Sequence, residues 1–105
     1  MKLKNTKKRV LAMCIMAGLI SAVAFAYNVE KTPDGIVVND VRNKNGNGVV
    51  NISNYTGRDV SVVVEFCAGG GRLGAGFDDI KDGRSADIEV DARYTDGVTI
   101  QVRKQ

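Results

Sequence analysis

Val60-Ser61-Val62-Val63-Val64-Glu65-Phe66-Cys67 decides the fold class. In an extended chain successive side chains point to opposite faces. Val60, Val62, Val64 and Phe66 then share one face, with Ser61 and Glu65 on the other; Val63 breaks the alternation and predicts partial cover of that second face. Two later stretches repeat the pattern. Ala86, Ile88 and Val90 alternate with Ser85, Asp87, Glu89 and Asp91, and Val98, Ile100 and Val102 alternate with Thr99, Gln101 and Arg103. One-face alternation is the mark of an antiparallel sheet with one solvated side. Upstream, residues 35–41 and 49–53 are further β-branched runs, divided by Asn43-Lys44-Asn45-Gly46-Asn47-Gly48, whose Asn-Gly pairs suit a type I′ hairpin. Residues 72–77 form another run, with Leu73, Ala75 and Phe77 on one face.

Turn clusters recur every 8 to 12 residues, the spacing of a sandwich or barrel, and no sustained helical periodicity is present. The prediction is an all-β fold: a small antiparallel Ig-like β-sandwich of six strands, or seven if residues 27–31 pair.

The first 26 residues differ from the rest. Lys2, Lys4, Lys7, Lys8 and Arg9 form a cationic stretch, residues 10–23 an apolar or small-residue run, and Ala24-Phe25-Ala26 a small-residue cleavage site. This is the layout of a secretory signal peptide of bacterial type. The run falls short of the roughly 20 residues a transmembrane helix needs, which disfavours an uncleaved anchor. Leu11-Ala12-Met13-Cys14 puts bulky Met13 where a lipoprotein site needs a small residue. The expected organisation is a signal peptide over 1–26, an N-terminal segment over 27–34 and the sandwich over 35–105. The expected destination is periplasmic or extracellular, with no membrane span after cleavage.

Cleavage changes the charge. The chain has 15 basic and 12 acidic residues; five basic residues and no acid lie in the first 26, so residues 27–105 carry 10 against 12, a net −2. That excludes a nucleic-acid reading built on a basic surface. The remaining 79 residues make one domain. Chains of this size bury only about 60% of their unfolded surface, and a single remaining cysteine, Cys67, offers no internal bridge.

Catalytic chemistry is limited by what the composition lacks. The chain has no His, which removes Ser-His-Asp and Cys-His nucleophile systems and His-containing zinc sites. Gly69-Gly70-Gly71-Arg72-Leu73-Gly74 matches G-x-G-x-x-G, but Ala75-Gly76-Phe77-Asp78 is a poor helix start, so a hairpin turn is expected in place of a dinucleotide site. No cofactor is expected.

Three features remain as candidate sites. Asp78, Asp79 and Asp82 put three carboxylates within five residues, in what reads as a polar connection plugged by Ile80; this is the candidate metal site, for calcium, against a simple solvated acidic loop. Gly74 and Gly76 lie opposite Leu73, Ala75 and Phe77 and leave a strip without side chains. Such a strip marks close approach of another backbone or a twisted, bulged edge strand, the latter being the commoner case. With Arg72 and Cys67 it forms the candidate partner-binding site. Cys67 itself is either an inert buried thiol, a reactive one, or the link of an intermolecular bridge such as a Cys67-linked dimer.

The segments Val50-Asn51-Ile52-Ser53-Asn54-Tyr55-Thr56-Gly57, residues 60–66, Gly69-Gly70-Gly71-Arg72-Leu73 and Ile80-Lys81-Asp82-Gly83 together resemble bacterial extracytoplasmic Ig-like modules of the FxLYD kind, over residues 49–91. The resemblance implies a fold and an extracytoplasmic setting and assigns no catalytic residue. The expected function is non-enzymatic: an exported Ig-like module that binds a protein partner, strand addition being one mode. The alternative is a calcium- or small-ligand-binding domain acting through residues 78–82.

Overall fold

The computed structural model of the chain describes residues 27–105; the expected signal peptide over 1–26 lies outside them. Six strands form in order: β1 (Ile36–Lys44), β2 (Asn47–Asn54), β3 (Val60–Ala68), β4 (Gly71–Ile80), β5 (Ser85–Val90) and β6 (Thr99–Lys104). They make two three-stranded antiparallel sheets, β1-β2-β5 and β4-β3-β6. This is the expected small antiparallel sandwich. Pairing the second strand with the fifth and the third with the sixth is the Ig arrangement; here β4 sits beside β3.

The alternating residues fill the space between the sheets. Val50, Ile52, Ile88 and Val90 from one sheet meet Val62, Val64, Phe66, Ile100 and Val102 from the other, with Ile80 and Val98 closing the ends. Sequence periodicity therefore placed the inner faces of β3, β5 and β6 correctly. The β1–β2 connection is the expected type I′ turn, with positive φ at both Asn45 (54°) and Gly46 (87°). Gly48 belongs to β2, where a Cβ would overlap the Phe66 ring.

The seventh strand does not form. Residues 27–31 contribute a single parallel bridge, Val29 to Ile100, secured by Ile100 N–H to Asn28 O at 2.8 Å and Glu30 N–H to Ile100 O at 2.9 Å. Tyr27 reaches β1 through its hydroxyl, 3.1 Å from Asp40 Oδ1. Its ring meets Tyr94 edge-on, and Tyr94 in turn meets Phe66. The N-terminal segment thus spans both sheets at one end of the sandwich.

β4 is longer than expected: it continues through Asp78 and Asp79 to Ile80, leaving 81–84 as the polar connection. The glycine strip explains its course. Gly74 and Gly76 face inward, and a Cβ on Gly76 would overlap the carbonyl oxygen of Glu89, while one on Gly74 would sit 2.6 Å from Asp91 Oδ1. Both readings of the strip apply: β4 is a bulged edge strand, and the backbone that approaches it is the chain's own β5. Asp91 N–H reaches Ala75 O at 3.4 Å and Ala75 N–H reaches Asp91 Oδ1 at 2.9 Å.

Candidate functional site

The sandwich has two outer faces of opposite character. On β1-β2-β5 the outward side chains hydrogen-bond one another. Asn39 donates to Asn51 and Ser53, Asn51 to Asp87, Asn47 to Glu89, and Ser53 meets Ser85. Arg42 bridges Asp40 and Asp87 at 3.3 and 2.8 Å. Hydrogen bonds from Asn51 and then Arg42 hold the Asp87 carboxyl below the ordinary aspartate value. These bonds pair the polar side chains of this face with one another, and Val37, opposite Ser53, is its exposed apolar residue.

The outer face of β4-β3-β6 is different. Because the glycines of β4 take the inner side, its bulky residues are turned to solvent: Phe77 is 68% exposed and Leu73 50%. Phe77 lies beside Val63, and Ala75 beside Glu65, in the β3–β4 register. A register shift between Phe66 and Cys67 marks a β-bulge, which re-aims a side chain; here Arg72 reaches Glu65 at 3.0 Å. Arg103 of β6 reaches the same Glu65 oxygen at 3.4 Å.

Glu65 is 1% exposed, and its second oxygen, Oε1, has no hydrogen-bond partner among the described residues. Across the strands the row continues from Glu65 to Gln101, whose amide donates to Glu30 at 3.1 Å. Glu30 Oε2, Gln101 Oε1 and Arg103 Nε are likewise buried without partners among the described residues. Burial pushes the Glu30 carboxyl above its ordinary value, opposed by the bond from Gln101. Four orphaned polar atoms on one face stand out, since buried polar atoms in native proteins are nearly all bonded.

The structure redistributes the candidate partner-binding residues. Arg72 lies on this face. Gly74 and Gly76 do not; they are occupied by β5 and present no strip to a partner, so strand addition at that part of β4 is blocked. Cys67, next to last in β3 on the same outer face, is 3% exposed and is not a free thiol, so neither the inert-thiol nor the reactive-thiol reading applies. Leu73 and Phe77 were visible as one face of β4, but alternation alone does not say which face is outside.

Asp78, Asp79 and Asp82 are not brought together. Asp78 and Asp79 are neighbours on a strand and therefore point to opposite sides. Asp79 accepts a hydrogen bond from Ser61, Asp78 one from the Asp79 backbone, and Asp82 one from Gly57 N–H at 2.9 Å. Among the described residues no three His, Cys, Asp or Glu side chains form a group able to hold a metal ion, and no helix is long and apolar enough to cross a membrane. No known protein family, curated protein or solved structure matches the chain.

Proposed function

We propose that the chain is an exported, non-enzymatic Ig-like module that binds a protein partner on the outer face of β4-β3-β6. The observation that carries this reading is the exposure of Leu73 and Phe77 on a sheet face, beside Val63 and Ala75. Exposed apolar side chains grouped on one face mark interaction sites, and aromatic residues are the usual anchors of protein interfaces. The absence of His from the chain and the resemblance to extracytoplasmic Ig-like modules agree with binding over catalysis.

The test is site-specific photocrosslinking in the native host, with the reactive group at position 77 or, as a control, at position 87 on the polar face. A discrete adduct from 77 and none from 87 is the expected result. Equal labelling from both, or none, would refute the assignment. Export is checked separately: fractionation should recover a chain beginning at Tyr27 outside the cytoplasm.

A further inference from the structure

Two of the orphaned acceptors belong to side chains that already touch. The Gln101 amide donates to Glu30 Oε1 at 3.1 Å, while Glu30 Oε2 and Gln101 Oε1 are both buried without partners among the described residues. An ionised carboxylate oxygen and an amide oxygen only accept, so neither relieves the other. One proton on Oε2 satisfies both. The carboxyl then donates to Gln101 Oε1, and acid and amide close a ring of two hydrogen bonds. Among the described residues no ion pair offers Glu30 a cation instead.

The backbone couples this pair to the docking of the N-terminal segment. Residues 27–31 are held on β6 by two backbone bonds, Ile100 N–H to Asn28 O at 2.8 Å and Glu30 N–H to Ile100 O at 2.9 Å. The second belongs to Glu30 itself, so a Glu30 that turns outward to hydrate its carboxylate pulls on its own N–H.

We propose that the N-terminal segment is a latch over the edge of β6, closed when Glu30 is protonated and paired with Gln101, and opened when Glu30 ionises. Opening frees the N–H and C=O of Ile100, the edge groups with which an added strand pairs. The surrounding charges come from four elements. Lys31 follows Glu30 in the segment, and Arg103 and Lys104 follow Gln101 on β6. Glu65 stands opposite Gln101 on β3, bonded by Arg72 of β4 and by Arg103. At the segment's start, Tyr27 reaches Asp40 of β1, and the Tyr94 hydroxyl accepts from Asn28 N–H. Burial moves the Glu30 carboxyl upward from its ordinary 4.5, the direction the latch requires. A group raised in the docked state stabilises docking fully below its ordinary value and ceases to do so as pH rises through the docked value. The latch is therefore shut in acid and loosened toward neutral pH.

Amide hydrogen exchange, followed by NMR on the exported protein over about pH 3.5 to 7.5, tests this. Protection factors are corrected for the base-catalysed intrinsic rate and referenced to the amides of β3. The expected result is loss of Ile100 N–H protection in step with titration of the Glu30 carboxyl carbon, at a value above 4.5. Glu30→Gln rebuilds the ring as a pair of amides with no proton to lose, so it should keep Ile100 protected throughout. Protection that stays constant across the Glu30 titration, that falls equally in Glu30→Gln, or a Glu30 that titrates at or below 4.5, would each overturn the latch. None of these results touches the reading of Leu73 and Phe77 as a binding face, which crosslinking from position 77 tests by itself.

Discussion

Asn54 makes four side-chain hydrogen bonds with none of its surface exposed. Its amide donates to Arg58 O and Ile80 O, both at 2.8 Å. Its Oδ1 accepts from Thr56 N–H at 2.9 Å and Thr56 Oγ1 at 2.7 Å. It ties the β2–β3 turn to the end of β4, so one residue fixes where the chain crosses between sheets. Removing it strands a buried carbonyl and uncaps the turn. Asn54→Ala should cost about 3 kcal/mol in urea unfolding, since each unsatisfied buried group costs about 1–3; a loss under about 0.5 kcal/mol would show that water replaces the amide. Gly76 tests a different force. Its Cβ position is occupied by a backbone oxygen of β5, which cannot swing aside as a side chain can. Gly76→Ala should destabilise by about 2 kcal/mol through overpacking, while Gly83→Ala, whose Cβ would meet nothing, carries only the cost of its φ of 77°.

At the scale of elements, the N-terminal segment is a short strap that docks on β6 through the Val29–Ile100 bridge and sets Glu30 beside Gln101. Burial raises the Glu30 carboxyl above its unfolded value, so the folded state holds this proton more tightly. The resulting stabilisation is complete below the ordinary glutamate range and is lost as pH rises through the folded value. Glu30→Gln, which keeps a hydrogen-bonding amide without the charge, should therefore melt above the parent at pH 7 and converge with it in acid. A variant that melts below the parent at pH 7 would mean that the carboxylate is held by a cation in solution. Asp87 contributes with the opposite sign: its carboxyl is lowered by Asn51 and Arg42, so that contribution is present at neutral pH and lost in acid. β4 shows how far sequence carries an element. Period two grouped Leu73, Ala75 and Phe77 correctly. It could not orient them, because two faces of unequal bulk are equally consistent with bulk inside or bulk outside. What decides is that β5 comes close enough to exclude any Cβ, a tertiary fact with no local signature beyond the glycines themselves. The same strand absorbed Asp78 and Asp79, which read as loop because acids are poor strand formers; pairing with Ser61 and Val62 overrides that preference.

At the scale of the whole molecule, the two outer faces differ in character: one carries a ladder of bonded polar side chains, the other exposes Leu73 and Phe77. The core, the six strands and the Asn45-Gly46 hairpin were legible because they follow from alternation and turn chemistry. The buried polar cluster was not, because Glu65, Gln101, Arg103 and Glu30 are scattered over 74 positions of chain and become a cluster only when β3, β6 and the strap lie side by side. If the polar face supports the fold and the apolar face serves recognition, substitutions on the two should separate stability from binding. The pair Leu73→Ser and Phe77→Ser removes exposed apolar surface that makes little of the core, so unfolding free energy should stay within about 0.5 kcal/mol of the parent per site, while crosslinking from a neighbouring position on β4 is lost. The pair Asn51→Ala and Ser53→Ala breaks the ladder that joins β1, β2 and β5. It should lower stability by about 1–2 kcal/mol and leave crosslinking unchanged. Coupled loss of both properties in either pair would mean that the faces are not independent, and that the apolar patch on β4 is held in place by the fold's own energetics, without reference to a partner.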